Sequence, residues 1–307
     1  MKRTPVIAAA LAIVAVAGIG WNRYAASGGD AVTPARAPAA SGIATRNDAA
    51  RAAQPAPVPP PDTPVRDVVA QLRPFAERGS PAAACRIVLE MSRCEEVAVA
   101  MRLASSLEPK KPTPQMLDAI SRSLDEVEAG AHACEGVPRI DEATLYRYQT
   151  VVASHGGIAQ ERWLVGMPVL DPNDFLSNLD AWRDYRVRAL RYVDRAIARR
   201  DRADLPLLLQ LHSPNRFRSR YGIAVVNDVP MFLALYDAAE LNDASLVPRL
   251  RLAARELREE LSPAERERYL ALKARIAVKW NDNGDDGSYA GGITPSGGPY
   301  SGPCKGL

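Results

Sequence analysis

Apolar residues recur along most of this chain at helical spacing. Trp182, Tyr185, Ala189, Tyr192 and Ala196 fall on one stripe of a 3.6-residue helix, and Leu190, Val193 and Ile197 fall on a second. Two stripes predict a helix buried on two sides, as in stacked helical hairpins. The plainer alternative is an irregular helical bundle, and no alternating run long enough for a strand is evident. Proline after a capping residue marks the helix starts: Thr63-Pro64, Ser80-Pro81, Thr113-Pro114, Asp171-Pro172 and Ser262-Pro263. The cap side chain accepts from an otherwise unpaired amide, and proline lacks the amide that would be left over. Ser262 and Glu265 also have capping-box spacing. The pattern predicts helices over 63–78, 81–106, 113–134, 141–154, 158–166, 172–200, 203–212, 228–241, 244–260 and 262–280. The fold class expected is all-α, with helical hairpins stacked as an irregular, repeat-like α-solenoid over 63–280.

The two ends of the chain break this pattern. Lys2 and Arg3 precede sixteen uncharged, mostly apolar residues from Pro5 to Gly20, followed by Trp21, Arg23 and Tyr24. Such a stretch predicts an export segment over 1–24. As a helix it rises about 24 Å, short of the roughly 30 Å hydrocarbon core but close to it once the two aromatics serve as interfacial anchors. An uncleaved anchor and a cleaved signal both fit; the small-x-small site at Ala15–Ala17 lies inside the apolar run, which favours the anchor. The positive-inside rule then places the rest of the chain outside the cytoplasm, in a bacterial periplasm. Residues 25–62 are rich in Ala, Pro, Ser and Gly and end in Pro59-Pro60-Pro61, the composition of a disordered, extended linker. Residues 281–307 form a second low-complexity segment, a Gly-rich tail tethered by Cys304.

Composition narrows the classes of function. The 39 basic and 36 acidic side chains nearly cancel, which gives no bulk charge for nucleic acid. The four cysteines, Cys85, Cys94, Cys134 and Cys304, form an even set in an oxidising compartment. If helices 81–106 and 113–134 make an antiparallel hairpin turning near Pro109 to Pro112, position 85 faces 134. The expected pairs are therefore Cys85 with Cys134 and Cys94 with Cys304. No CxxC spacing supports a metal site.

Motifs for chemistry are scarce. The chain has no Walker loop, no GxGxxG and no HExxH. His155-Gly156-Gly157 has no nucleophile elbow to partner it, and the other histidines, His132 and His212, add no recognisable site. Adjacent acids such as Glu95 with Glu96, or Glu259 with Glu260, do not face one another on a helix. Asn281, Asp282, Asn283, Asp285 and Asp286 lack the glycine and the closing glutamate of a calcium loop. Arginine is concentrated from Arg183 to Arg202, but interleaved aspartates such as Asp184, four residues before Arg188, predict a self-compensated solvated face. Arg216, Phe217, Arg218 and Arg220 lack nearby acids and form the candidate binding loop. Catalytic residues, metal ligands and cofactors are expected to be none.

Ala76 through Ala83 aligns with Ala153 through Ala159 and more loosely with Ala198 through Ala203. Each segment puts a tight turn between two helices, with Gly79, Gly156 and Arg200 at the turn. The stretch from Phe75 to Leu89 resembles the tetratricopeptide-like, Sel-one-like helical repeats, whose A-x-x-G-[ND]-x-x-A turn joins paired helices. The resemblance implies a partner-binding scaffold. The expected function is accordingly a membrane-anchored periplasmic protein that binds an envelope protein or peptide. The alternatives are an envelope enzyme acting on cell-wall glycan with acids assembled by the fold, and a purely structural secreted protein.

Overall fold

Capping residues and proline set most helix starts in the computed structural model, which describes residues 59–60, 62–104, 114–214, 227–248, 250–282, Cys304 and Leu307. The export segment, nearly all of the 25–62 linker and the loop carrying Arg216, Phe217, Arg218 and Arg220 lie outside the described residues. Among the described residues the chain is all-helical, with no strand and one isolated bridge, Asp201 to Asn281. The α-helices are α1 (Val65–Glu77), α2 (Pro81–Ala104), α3 (Pro114–Ala133), α4 (Glu142–His155), α5 (Ile158–Gly166), α6 (Leu179–Arg199), α7 (Leu205–His212), α8 (Val229–Asn242), α9 (Arg251–Glu260) and α10 (Pro263–Ile276). None of them is long and apolar enough to cross a membrane.

The chain divides into two compact units. The described part of the first comprises 64–66, 91–104 and 114–137; the second holds 59–60, 62–63, 67–90 and everything described from 138 onward. The core of the second unit is built from α4 to α10 and closes around Tyr192, Leu205, Leu208, Phe232, Leu233 and Ala254. Within it, α8 packs on α7, α9 and α10, and α5 packs on α4, α6 and α7.

Local chemistry explains the chain turns of this unit. Ser262 is a complete capping box: its hydroxyl accepts from Glu265 N at 3.3 Å, and its own amide donates to the Glu265 carboxylate at 3.0 Å. Between α1 and α2, Gly79 adopts φ +88°, a conformation that glycine reaches without strain. Gly156, at the second of the aligned turns, has φ −88° and is needed for space instead, because a Cβ there would lie 2.4 Å from Gln160 Cγ. At the third turn Arg200 is left-handed, at φ 55°. Buried Gln149 donates to Met167 O at 2.8 Å and accepts from Val169 N at 3.2 Å, fixing the strap that leaves α5. Asn242 does the same for the segment after α10, donating to Val278 O at 2.8 Å and accepting from Trp280 N at 2.8 Å.

Two predicted helices begin seven residues later than the pattern implied. Asp171-Pro172 opens a 3-10 helix, Pro172–Asn178, and α6 begins only at Leu179. Its Asp174 leaves helical geometry, and Glu142 collects Asp171 N at 3.0 Å and Asn178 Nδ2 at 2.9 Å, which stabilises the break. Likewise 244–260 begins with a 3-10 turn, Ala244–Leu246, where Asp243 accepts from Ser245 N at 3.1 Å. An Asx turn of this kind competes with helix.

All four cysteines are bonded, but the expected pairing is exchanged: Cys85 joins Cys304 and Cys94 joins Cys134. The register of the α2–α3 hairpin differs from the expected one. In the first unit α2 and α3 meet where Gly130 approaches Val97 so closely that a Cβ would lie 2.7 Å from Val97 Cγ2. That contact puts Cys134 beside Cys94. Cys85 is nine residues earlier on the helix, about 13.5 Å away, beyond the span of a disulfide. The fully buried Cys85 instead holds the C-terminal tail, within the second unit.

Candidate binding groove

The second unit carries an open groove of about 870 Å³. Its floor is the second stripe of α6, Leu190, Val193 and Ile197, and Met231, Ile276 and Trp280 supply the other apolar surface. The expectation of two buried faces on α6 is met in part. The first stripe of α6 is buried throughout, from Trp182 to Ala196; on the second, Val193 is buried too, Ile197 is partly buried against the core and Leu190 is 38% exposed. Among the described residues, the second face of α6 is covered at Val193, partly covered at Ile197 and opens into the groove at Leu190.

Charge is uneven along the groove. Arg199, Arg200 and Arg275 line one end, where α6 and α10 terminate. Basic side chains there relieve the carbonyl ends of two helices. Arg199 is held by Asp204: its Nη2 donates to Asp204 Oδ2 at 2.9 Å and its guanidinium lies 5.7 Å from the Tyr192 ring centre. Arg200 Nη2 reaches Arg275 O at 3.4 Å, and neither Arg200 nor Arg275 has a carboxylate partner among the described residues. Asp194, midway along the α6 side, is also unpaired there. Asp228 is committed elsewhere, accepting from Met231 N at 3.1 Å at the start of α8 and from Arg268 at 2.5 Å.

Beneath the arginine end lies a buried charge network. Asp204 and Arg162 are both fully buried, with Arg162 Nε at 2.9 Å and Nη2 at 2.8 Å from Asp204 Oδ1. Tyr192 donates to the same oxygen at 2.6 Å. Burial and the neighbouring Asp204 push the Tyr192 phenol far above its ordinary range, so it stays a donor. The network fixes Arg199 from below. On the surface side, Arg202 N donates to Asn281 O at 2.9 Å and Asn281 N to Arg200 O at 2.8 Å, which ties the segment after α10 to the same turn. Arg202 also reaches Asp243 at 3.1 Å and Asp282 at 3.4 Å.

His212 is the polar residue that sequence reasoning passed over. It is 2% exposed, lines the groove from the end of α7, and donates Nδ1–H to Leu208 O at 2.9 Å in the neutral tautomer. Burial lowers its pKa, which leaves Nε2 an unprotonated acceptor. The one available signal was its place after Leu205-Pro206-Leu207-Leu208-Leu209, where an apolar run carries the histidine into the interior. The i,i+4 compensation expected on α6 is present at Arg188 and Asp184, 2.6 Å apart. Among the adjacent acid pairs, Glu95 is engaged by Arg102 and Glu259 by Arg255. Among the described residues no three His, Cys, Asp or Glu side chains stand close enough to share a metal ion. No protein family, curated protein or solved structure matches the chain.

Proposed function

We propose that this protein is an interaction scaffold of the bacterial periplasm, tethered by its N-terminal segment, whose helical domain binds an envelope protein or peptide. The observation that carries this reading is the open groove of the second unit, where Leu190 stands exposed beside the partly buried Ile197 and Met231 and two arginines lack carboxylate partners among the described residues. Exposed apolar surface rimmed by charge is what partner-binding surfaces present. The two disulfides are compatible with an oxidising compartment. A repeat-like stacking of hairpins and the Arg216–Arg220 loop belong to the same proposal, as further surface for the partner.

Glycan hydrolysis is the less favoured alternative. It uses two carboxylates flanking one bond. In the groove, Asp228 is occupied by a helix cap and Arg268, which leaves Asp194 alone. Chemical cross-linking in cells followed by capture of the full chain tests the scaffold reading. Ile197→Asp places a charge on the groove floor and is expected to remove a stoichiometric partner, and the triple change of Arg216, Arg218 and Arg220 to Ala to weaken its capture. Capture that is indifferent to Ile197→Asp, or release of soluble fragments from purified cell-wall glycan that Asp194→Asn abolishes, contradicts it.

A further inference from the structure

Independently of any protein partner, we propose that the groove is a binding site for a small organic anion, one that carries a carboxylate for Arg200 and Arg275, a single ring or short chain for the apolar wall, and a hydroxyl or amide N–H for His212. The wall stands ready before any ligand arrives. Val193, Ile276 and Trp280 line the groove yet are buried. Trp280 is fixed twice, by donation of its Nε1–H to Ile276 O at 2.9 Å and of its amide to Asn242 Oδ1 at 2.8 Å. Side chains packed from behind in this way have little freedom left to lose when a ligand binds. Of the large apolar residues in the described lining only Leu190 is exposed, so the open apolar surface suits one ring.

His212 supplies the polar anchor. It is 2% exposed and lines the groove, and its Nδ1–H is spent on Leu208 O at 2.9 Å. Nε2 is then an acceptor for which no donor stands among the described residues. Asp228, which also lines the groove, is taken by Met231 N and Arg268 and contributes no donor. An acceptor buried without a donor is costly, and a ligand O–H or N–H relieves it. The sign of the ligand follows from the remaining charges. With Arg199 held by Asp204 and Asp228 by Arg268, the charges left over in the described lining are Arg200, Arg275 and the single Asp194, a balance that favours an anion. Arg200 Nη2 reaches Arg275 O at 3.4 Å, and Asn281 N holds Arg200 O at 2.8 Å, so the backbone that carries the first guanidinium is fixed beside the residue that carries the second. Guanidinium forks presented in this way suit a carboxylate.

The test is calorimetric titration of the full-length oxidised chain, held in non-ionic detergent, with three probes: para-hydroxyphenylpropionate, its methyl ester, and phenylpropionate. The hydroxy acid is expected to bind with a Kd of about 0.1 mM. Masking its charge in the ester is expected to weaken binding about tenfold at low salt, with a smaller difference as salt is raised, and removing its hydroxyl to weaken it about threefold. Arg200→Asn with Arg275→Gln, at two exposed positions, is expected to abolish the preference for acid over ester while the thermal transition stays in place. His212→Leu is expected to abolish the preference for the hydroxylated acid, and where that variant fails to fold, the two acids compared on the unchanged protein decide the same point. No saturable heat from the hydroxy acid, equal affinity for acid and ester, equal affinity for the two acids, or a preference for the acid that survives both arginine changes overturns the assignment.

Discussion

The two units of the chain hold their structure by different means. In the second unit a continuous apolar core runs from Tyr146 to Trp280, and its buried charges are paired, with Asp204 between Arg162, Tyr192 and Arg199 and Asp237 between Arg258, Tyr269 and Lys273. In the first unit, no described apolar side chain between Met91 and Val137 is fully buried, and Met101, Leu117 and Leu124 are about half exposed. Among the described residues, its helices are joined by the Gly130–Val97 approach and the Cys94–Cys134 bond. A segment that buries too little apolar surface to offset its chain entropy can still be held by a covalent cross-link. The comparison separates a unit stabilised by burial, which can afford an open groove, from one stabilised by a disulfide.

The largest effect is expected from removing the charge at the centre of the second unit. Asp204→Asn leaves Arg162 buried without a counter-ion, and the expected loss is about 3–5 kcal/mol, read as an earlier urea transition of the second unit. Cutting the bond of the first unit comes next. Cys94→Ala with Cys134→Ala is expected to cost roughly 2–4 kcal/mol and to abolish hydrogen-exchange protection of α3, while α8 and α10 keep theirs. Protection of α3 that survives the cut would mean that the first unit has a core of its own. Gly130→Ala probes the same unit more gently. Its Cβ would meet Val97, a stiff side chain, and a loss of about 1–2 kcal/mol is expected in thermal unfolding.

The smallest effect concerns pH and His212. Burial holds its folded-state pKa below the ordinary 6.5. Its contribution to stability is therefore fully present above 6.5 and lost as pH falls through the lower folded-state value. The unfolding temperature of the wild type is expected to drop further between pH 7 and pH 5 than that of His212→Asn, which cannot take up the proton. At the other extreme, burial raises the phenols of Tyr146, Tyr185 and Tyr192. Their contribution is present below pH 10 and lost above it, so the Tyr192→Phe variant should retain more of its stability in alkali.

Helix positions were largely legible because they depend on local rules. The Ser262 capping box and the Ser80-Pro81 start stand where the sequence puts them, and the buried stripe of α6 is the stripe read from its period. The interruptions at Asp174 and Ser245 were not legible, since they depend on Glu142, distant in sequence, and on an Asx turn competing with helix. The disulfide partners depend on helix register, which Gly130 sets through one close approach. The groove was half legible. Leu190, Val193 and Ile197 were readable as a stripe, but whether a second face is covered or open depends on tertiary neighbours that periodicity does not specify. Asp204 and Arg162 had the look of ordinary surface charges, because ion pairing across 42 residues leaves no local pattern.

The most direct measurement is photo-cross-linking in living cells from a reactive residue placed at position 190 in the groove, compared with one at position 124, an exposed apolar site of the first unit. A discrete adduct from position 190 that Ile197→Asp removes, and none from position 124, is expected. An adduct from position 124 alone, or from neither position, would contradict the claim that the groove of the second unit is where this protein meets its partner.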